Sequence, residues 1–447
     1  MIFWVMERSV FWKKIFVKKT KSKPCKSNKA TFQRPEIRRI AVKKLNIAPS
    51  FLQKLHPIRL LSESELKQVE VLGEYFEPGQ IIYREGDPLT YLAYIIDGEV
   101  LCENAVGLHY GVVAYTFKAL YPLSSSNLSL FTAIAKTKVK IIYLPKDLLL
   151  DSSTRQVQID TGQLVIAEPL QKNSFGQKLL HSIQTNNIGV PSLPDVAIRL
   201  RIAVQKDIGI SEAVKIVNLD SRIAAKIIQV ANSPLYRGVN FFVSCDAALN
   251  HLGLNATRNL VTSFSMKELF TSKNKLLTKK MHQAWQQSVK VSSLCHTLAL
   301  LTKKVDPEEA LLAGLTHNIG ILPIIKLADQ QVNLSFEDLE ECLLISQAYI
   351  GKLVLTQWEF PEAIVKIPYL IDNWFYESGT DFGLVDIVIL AKYHSLLGSE
   401  YMSFLPVLHD LPAFQKMGSQ GLTPDMSLQM LHDAKQQVAD AISLFDV

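Results

Sequence analysis

Residues 220–238, DSRIAAKIIQVANSPLYRG, decide how this chain is read. The apolar residues Ile223, Ala224, Ile227, Ile228 and Ala231 recur at helical spacing and predict a helix with one buried stripe. Asp220 or Ser221 can cap its start, and Asn232, Ser233 and Pro234 mark its stop. Read alone, the stretch is a core helix closed by a tight turn. Its polar end, Asn232, Ser233, Tyr236 and Arg237, is either a candidate contact surface or simply that turn.

Two flanking stretches add meaning. VPSLPDVAIRL (190–200) precedes the helix and ALNHLGL (248–254) follows it. A short LP, an acidic residue leading a helix that ends in AN-S, and a later LG stand in the order found in the HDOD domain, which this region resembles. That family is an all-helical output module of bacterial signalling proteins, related to the HD metal-dependent phosphohydrolases. The resemblance implies an α-helical bundle and a cytoplasmic regulator whose partners are other signalling proteins.

Length and composition agree with a multidomain soluble class. At 447 residues the chain exceeds one ordinary core, with 48% hydrophobic and 20% charged residues. No run of about 18 uninterrupted apolar residues occurs, so no transmembrane helix is expected. Cys25, Cys102, Cys245, Cys295 and Cys342 are scattered, without a C-x-x-C pair, as in a reducing compartment. Charge is divided unevenly. Residues 1–48 hold 14 Lys and Arg against 2 acids, while the remainder holds 34 against 40. The basic tail 1–48, MIFWVMERSVFWKKIFV and beyond, reads as a disordered arm or an upstream extension, with contact to nucleic acid or an anionic membrane surface as the functional alternative.

The expected fold class is α+β multidomain, with an N-terminal β-barrel or jelly roll followed by an all-α helical bundle. The first domain spans 49–152. It opens with helical segments in which Ser62 and Glu65 form a capping box. Short β-rich runs follow, punctuated by Pro78-Gly79, Gly86-Asp87-Pro88 and Asp97-Gly98. FEPGQI (76–81), EGD (85–87), YIIDGEV (94–100) and VKIIYLPKDLL (139–149) resemble the cyclic-nucleotide-binding domain family. In that family a Gly-Glu pair holds the ribose and a following Arg holds the cyclic phosphate, a charge-assisted clamp for a buried anion. The corresponding segment here, FKALYPLSSSNLSLFTAIAKT (117–137), contains neither Glu nor Arg, and Lys136 lies too near the last strand to replace the arginine. No ordinary cAMP or cGMP binding is therefore expected. Ser124, Ser125, Ser126 and Asn127 are the remaining ligand candidates, in a run that reads as a solvated loop.

Residues 153–176 read as a linker and 177–447 as the helical domain with a C-terminal amphipathic helix at 427–445. In DPEEALLAGLTHNIG (306–320), Asp306 is the N-cap, Pro307 the first helical residue, Glu309 the capping-box partner and Gly320 the terminator. The related phosphohydrolases hold a divalent metal with a His, an adjacent His-Asp and a later Asp, because such an ion activates water and neutralises phosphate charge. The resemblance places Gln287, His317-Asn318 and Lys392 at those positions, and Gln347 where many members have a further His. One ligand of four remains, so neither catalysis nor a metal cofactor is expected. His282, His296 and His394 are the substitutes to consider. Gly351, Trp358 and Pro361 match the G-x-x-L-x-x-x-W-x-x-P segment of the same domain, with Trp358 a core anchor. A divergent metal-dependent phosphohydrolase using His317 is the enzymatic alternative.

Overall fold

The computed structural model describes residues 43–148 except 57, 59, 60 and 62, and residues 170–445 except 172, 239–240, 332–333 and 419–427. Most of the basic tail, most of the expected linker and the Ser62 cap lie outside the described residues. The chain divides into two compact units. One holds the N-terminal β-rich region together with Gly398–Gln415, and the other holds the helical region up to Leu397 and from Lys416 onward. The sequence expects 177–447 to be one continuous helical domain. Residues 398–415 instead pack within the first unit, through contacts that no local pattern announces.

The first unit is two four-stranded sheets. Strands β1 (Lys43–Lys44), β2 (Leu72–Phe76), β3 (Ile81–Tyr83), β4 (Tyr91–Asp97), β5 (Glu99–Glu103), β6 (His109–Val113), β7 (Thr132–Ala135) and β8 (Val139–Pro145) pair in the orders β1-β2-β8-β4 and β3-β7-β5-β6. All pairings are antiparallel. This is the jelly-roll arrangement, with open sheets and no closed barrel. The second sheet alternates as a one-sided sheet should: Val100 and Cys102 on β5 and Tyr110 and Val112 on β6 are buried, while Glu103, His109, Gly111 and Val113 face solvent. On β4, Leu92, Ala93, Tyr94 and Ile95 are all buried. The cause is a cover on one face, where Leu52 of α1 (Pro49–Leu52) and Leu66 of α2 (Glu63–Leu66) join Leu55, Ile58 and Leu61 against Leu92, Tyr94, Ile142 and Leu144. The Tyr94 hydroxyl is satisfied there by donating to the His56 carbonyl at 2.9 Å.

The second unit is helical. Its members include α3 (Ser174–Gln184), α4 (Asp195–Gln205), α5 (Ile210–Val217), α6 (Ser221–Ala231), α7 (Cys245–Leu252), α8 (Leu254–Met266), α9 (Lys275–Thr302), α10 (Pro307–Thr316), α11 (Ile321–Ala328) and α12 (Phe336–Gln357). The short α13 (Glu362–Val365) and α14 (Ile367–Leu370) lead to α15 (Leu384–Leu396), and α16 (Gln429–Asp433) and α17 (Lys435–Ser443) close the chain. Helix α6 is the predicted one. Asp220 caps it by accepting from the Arg222 and Ile223 amides. Its buried stripe is Ile223, Ala224, Ile227, Val230 and Ala231, so Val230 takes the inward place expected of Ile228. The LG step has a backbone cause: Gly253 ends α7 and begins α8 at φ 80°, where a Cβ is strained.

Helices α9 and α10 form the centre. Asp306 caps α10 by accepting from the Glu309 amide at 2.8 Å, with Pro307 at the first position, as predicted. The helix stops at Thr316, and Gly320 is the N-cap of α11 and not the terminator of α10. Among the described residues, only Pro307–Ala328 is long and apolar enough to cross a membrane, and most of it is buried in this unit. The C-terminal helix appears as two short ones, packed on this unit through Phe445, whose ring meets Phe264 and Trp285. Cys102, Cys245, Cys295 and Cys342 are free thiols, all buried.

The α9–α10 approach depends on Gly314, where an added Cβ would lie 2.6 Å from the Ser292 Cα and 2.9 Å from the Cys295 Sγ. Gly314→Ala should therefore destabilise the helical unit by about 1–3 kcal/mol through overpacking. Gly209→Ala, where nothing lies within 4 Å, should cost less than about 1 kcal/mol. Urea unfolding followed by helical circular dichroism measures both.

Candidate functional site

Three helical segments converge at the positions that the sequence marked: the middle of α9, the turn after α10, and the last two turns of α15. His317 is the C-cap of α10. Its Nδ1 faces the Gly314 carbonyl at 2.7 Å, and a carbonyl can only accept, so Nδ1 carries the proton and Nε2 keeps the lone pair. Burial pushes the His317 pKa down to about 4 and the nearby Lys392 ammonium pushes the same way, against the Gly314 hydrogen bond and Asp372. The ring is neutral at physiological pH.

Asn318 is fully engaged. It donates from Nδ2 to the Ala284 carbonyl at 3.0 Å and accepts the Ser288 hydroxyl at 2.6 Å, while Gln347 Nε2 donates to its main-chain carbonyl at 3.1 Å. Gln287 donates to the Ser395 hydroxyl at 2.8 Å. These amides tie α9, the turn after α10, α12 and α15 together, which a carboxylate and a second imidazole would not do with the same donors.

Lys392 supplies the charge. Its Nζ lies 2.5 Å from Asp372 Oδ1, with the lysine side chain 15% exposed and the aspartate 42%. Burial raises the Asp372 pKa and the Lys392 ammonium lowers it, and the balance is downward. A second lysine, Lys290, reaches the same region and donates to the Ser395 carbonyl at 2.5 Å, its own pKa lowered by burial. Asp372, Lys290, Ser288 and Ser395 carry no signal in the sequence, because no one-dimensional spacing links a polar residue after α14 to two lysines on separate helices.

The substitute histidines are placed apart. His282 is exposed on α9. His394 is locked by its Nδ1 to the Leu390 carbonyl and by the Leu428 amide donating to its Nε2. His296 is buried, with its Nε2 3.2 Å from the Tyr236 hydroxyl and its pKa pushed down by burial to about 4. Among the described residues, no three His, Cys, Asp or Glu side chains are grouped so as to hold a metal ion. The residues present do not fit a divalent ion: an amide, an amide and an ammonium stand where carboxylates and imidazoles would be required.

The polar end of α6 is mostly internal. Asn232 Nδ2 donates to the Phe242 carbonyl at 2.7 Å while its Oδ1 accepts the Phe242 amide at 2.8 Å, a two-way clamp on the following loop. His251 Nε2 meets the Tyr236 carbonyl at 2.5 Å and its ring stacks on Phe242. Tyr236 is directed to His296, and the Ser233 hydroxyl is buried without a partner among the described residues. Of the four contact candidates only Arg237 is exposed. Trp358 is the expected anchor, buried and donating from Nε1 to the Pro191 carbonyl at 2.8 Å, so it ties α12 to the LP segment.

In the first unit, Ser124, Ser125 and Ser126 are buried at 4%, 9% and 6% exposure, and only Asn127 faces solvent. The expected solvated loop is thus an internal one. It faces Asp410, an aspartate nearly three hundred residues away: Ser124 Oγ donates to Asp410 Oδ1 at 2.9 Å, and the Ser125 hydroxyl donates to the Asp410 carbonyl at 2.7 Å. Lys136 is at the surface, paired with Glu99.

The sequence model of the HDOD domain family matches residues 190–370. Residues 190–370 are an HDOD domain. A crystal structure of a protein from Shewanella amazonensis SB2B, provisionally named a metal-dependent phosphohydrolase, is 25% identical, covers 60% of this chain and 97% of its own, and gives a TM-score of 0.52. An HDOD domain protein of unknown function from Geobacter sulfurreducens is 17% identical over 60% of this chain and 96% of its own, with a TM-score of 0.45. The N-terminal unit has neighbours among cyclic-nucleotide-binding domains, including a Geobacter metallireducens protein at 15% identity, covering 32% of this chain and 96% of its own, TM-score 0.20. An uncharacterised protein of Treponema pallidum is 22% identical over 221 residues, which is 46% of this chain and 42% of that protein. The chain thus spans about two fifths of that relative's length.

Asp372→Asn should strand the Lys392 ammonium and destabilise the helical unit by about 1–3 kcal/mol, less than for a fully buried pair because Asp372 stays partly in water. Adding Lys392→Met should recover most of that loss in the same urea titration, and failure to recover would show that the two residues are not coupled.

Proposed function

We propose that the chain is a non-enzymatic, cytoplasmic signal-transduction regulator of bacterial type, acting through protein–protein contacts of its HDOD domain. The observation that carries this reading is Lys392. Its ammonium pairs with Asp372 beside His317, in the position where the related phosphohydrolases are expected to place a metal carboxylate. A fixed positive charge there repels a divalent cation, and the amides of Gln287 and Asn318 supply no compensating negative charge. The partners are other signalling proteins, and the N-terminal unit serves as a sensory or scaffold module.

A second reading has specific support. His317 keeps its proton on Nδ1 through the Gly314 carbonyl, leaving Nε2 with the lone pair that a metal ligand needs, and the Shewanella amazonensis structure is named provisionally as a metal-dependent phosphohydrolase. That reading makes the chain a divergent phosphohydrolase. Contact with nucleic acid or an anionic membrane through residues 1–48 is a third, which rests on charge alone.

The two main readings separate in one assay. Full-length protein made without an affinity tag should hydrolyse no phosphodiester, tested as bis(4-nitrophenyl) phosphate with Mg²⁺ or Mn²⁺. Turnover that His317→Ala abolishes would overturn the non-enzymatic reading.

A further inference from the structure

Residues 398–415 leave the helical unit and pack within the first one. From Leu405 to Phe414 every residue but Val407 is buried, including the apolar Leu405, Leu408, Leu411, Ala413 and Phe414. Separate parts of the first unit grip the segment along its length. The Tyr121 hydroxyl donates to the Phe404 carbonyl at 2.9 Å, and the Phe404 ring lies 4.1 Å from that of Phe117. The His409 ring stacks on Phe131 at 4.2 Å, with its Nε2 3.4 Å from the Tyr110 hydroxyl on β6. Ser124 Oγ and the Ser125 amide both donate to Asp410 Oδ1, at 2.9 and 3.2 Å, and the Ser125 hydroxyl donates to the Asp410 carbonyl at 2.7 Å. Release of the segment would return its apolar side chains and the rings of Tyr110 and Phe131 to water together. It is part of this unit's core.

Both ends of the segment are tied to one helix. At the start, Leu397 is the C-cap of α15 and Gly398 follows at φ 75°. At the return, Lys416 Nζ lies 3.5 Å from Asp386 Oδ1 and 3.6 Å from Glu377, and donates to the Ser378 hydroxyl at 2.8 Å. Asp386 stands in the first turn of α15 and is fully buried. Its Oδ2 accepts the Ser378 hydroxyl at 2.6 Å and the Gly383 amide at 2.9 Å, while its Oδ1 accepts no hydrogen bond among the described residues. The Lys416 ammonium is the charge that compensates that oxygen. Lys392 and Ser395 of the candidate site lie between these two anchors.

We infer that segment 398–415 is a coupling element: an integral part of the first unit whose ends fasten both ends of α15, so that loosening the first unit loosens α15 and the Lys392–Asp372 pair with it. An event in the first unit thereby reaches the candidate site through the chain itself. The inference rests on packing and connectivity, and stands apart from the question of catalysis.

Amide hydrogen exchange on the full chain tests it. In the native protein the Asp410, Leu411 and Phe414 amides, which donate to the carbonyls of Val407, Leu408 and Leu411, should open within about tenfold of the β5 and β7 amides. Faster opening would show a segment that comes away alone, and overturns the proposal. Leu408→Ala should raise the opening of β5 and β7 at least about tenfold and that of the α15 amides 393–396 at least about fivefold, with α4 and α6 unchanged. Coupling is reciprocal, so Lys416→Met should raise the opening of Asp410, Leu411 and Phe414 at least about fivefold. Ser125→Ala, which removes only the hydroxyl bond to the Asp410 carbonyl, should give the Leu408→Ala pattern at about threefold, and takes its place if that variant does not fold. An unchanged α15 in the first-unit variants, or an unchanged segment in Lys416→Met, likewise overturns the proposal.

Discussion

The close contact of α9 with α10 sets the geometry of the HDOD domain. Gly314 lets the two helices approach until Ser292 Oγ donates to the Leu311 carbonyl at 2.6 Å. At that separation one turn of α9 faces the end of α10, so Ser288 reaches the Asn318 side chain and the Ala284 carbonyl accepts from it. Helix α15 closes over the same turn of α9 through Gln287 and Lys290, and thereby places Lys392 within the field of His317. The site residues on α9, in the turn after α10 and on α15 are brought together around this packing constraint.

Given that frame, the chemistry follows from charge. A site of this shape lined with carboxylates would need a cation to neutralise it. Here Lys392 and Lys290 stand at the site, with Asp372 as the counter-charge of Lys392. The hydrogen-bonding amides of Gln287, Asn318 and Gln347 link the helices. This part-buried amide network satisfies its own hydrogen bonds across four segments.

Local patterns were legible in the sequence and long-range pairs were not. The Asp220 and Asp306 caps, the α6 stripe, the LG step at Gly253 and the β-strand punctuation each depend on residues within one turn or one hairpin, so spacing reveals them. Val230 replaced Ile228 on the buried face because the neighbours of α6, not its own period, decide which edge of the stripe is covered. The serine run read as solvated because its partner, Asp410, lies in a segment that the local pattern assigns to another domain. The sequence leaves Asn232 and Tyr236 open between a contact surface and a turn for the same reason: Phe242 and His296, which engage them, are ten and sixty residues away. Asp372 gave no signal, since a lone acid in IDNW acquires meaning only beside Lys392.

The central claim is that a half-exposed ammonium–carboxylate pair stands in place of a metal ion. Isothermal titration of tag-free full-length protein with Mn²⁺ tests it most directly, alongside Gln287→His/Asn318→Asp/Lys392→Asp, which returns the ligand types. The account predicts no saturable binding to the native chain and binding at least about a hundredfold tighter in the triple variant. Stoichiometric Mn²⁺ binding by the native chain, as tight as in that variant, would contradict it.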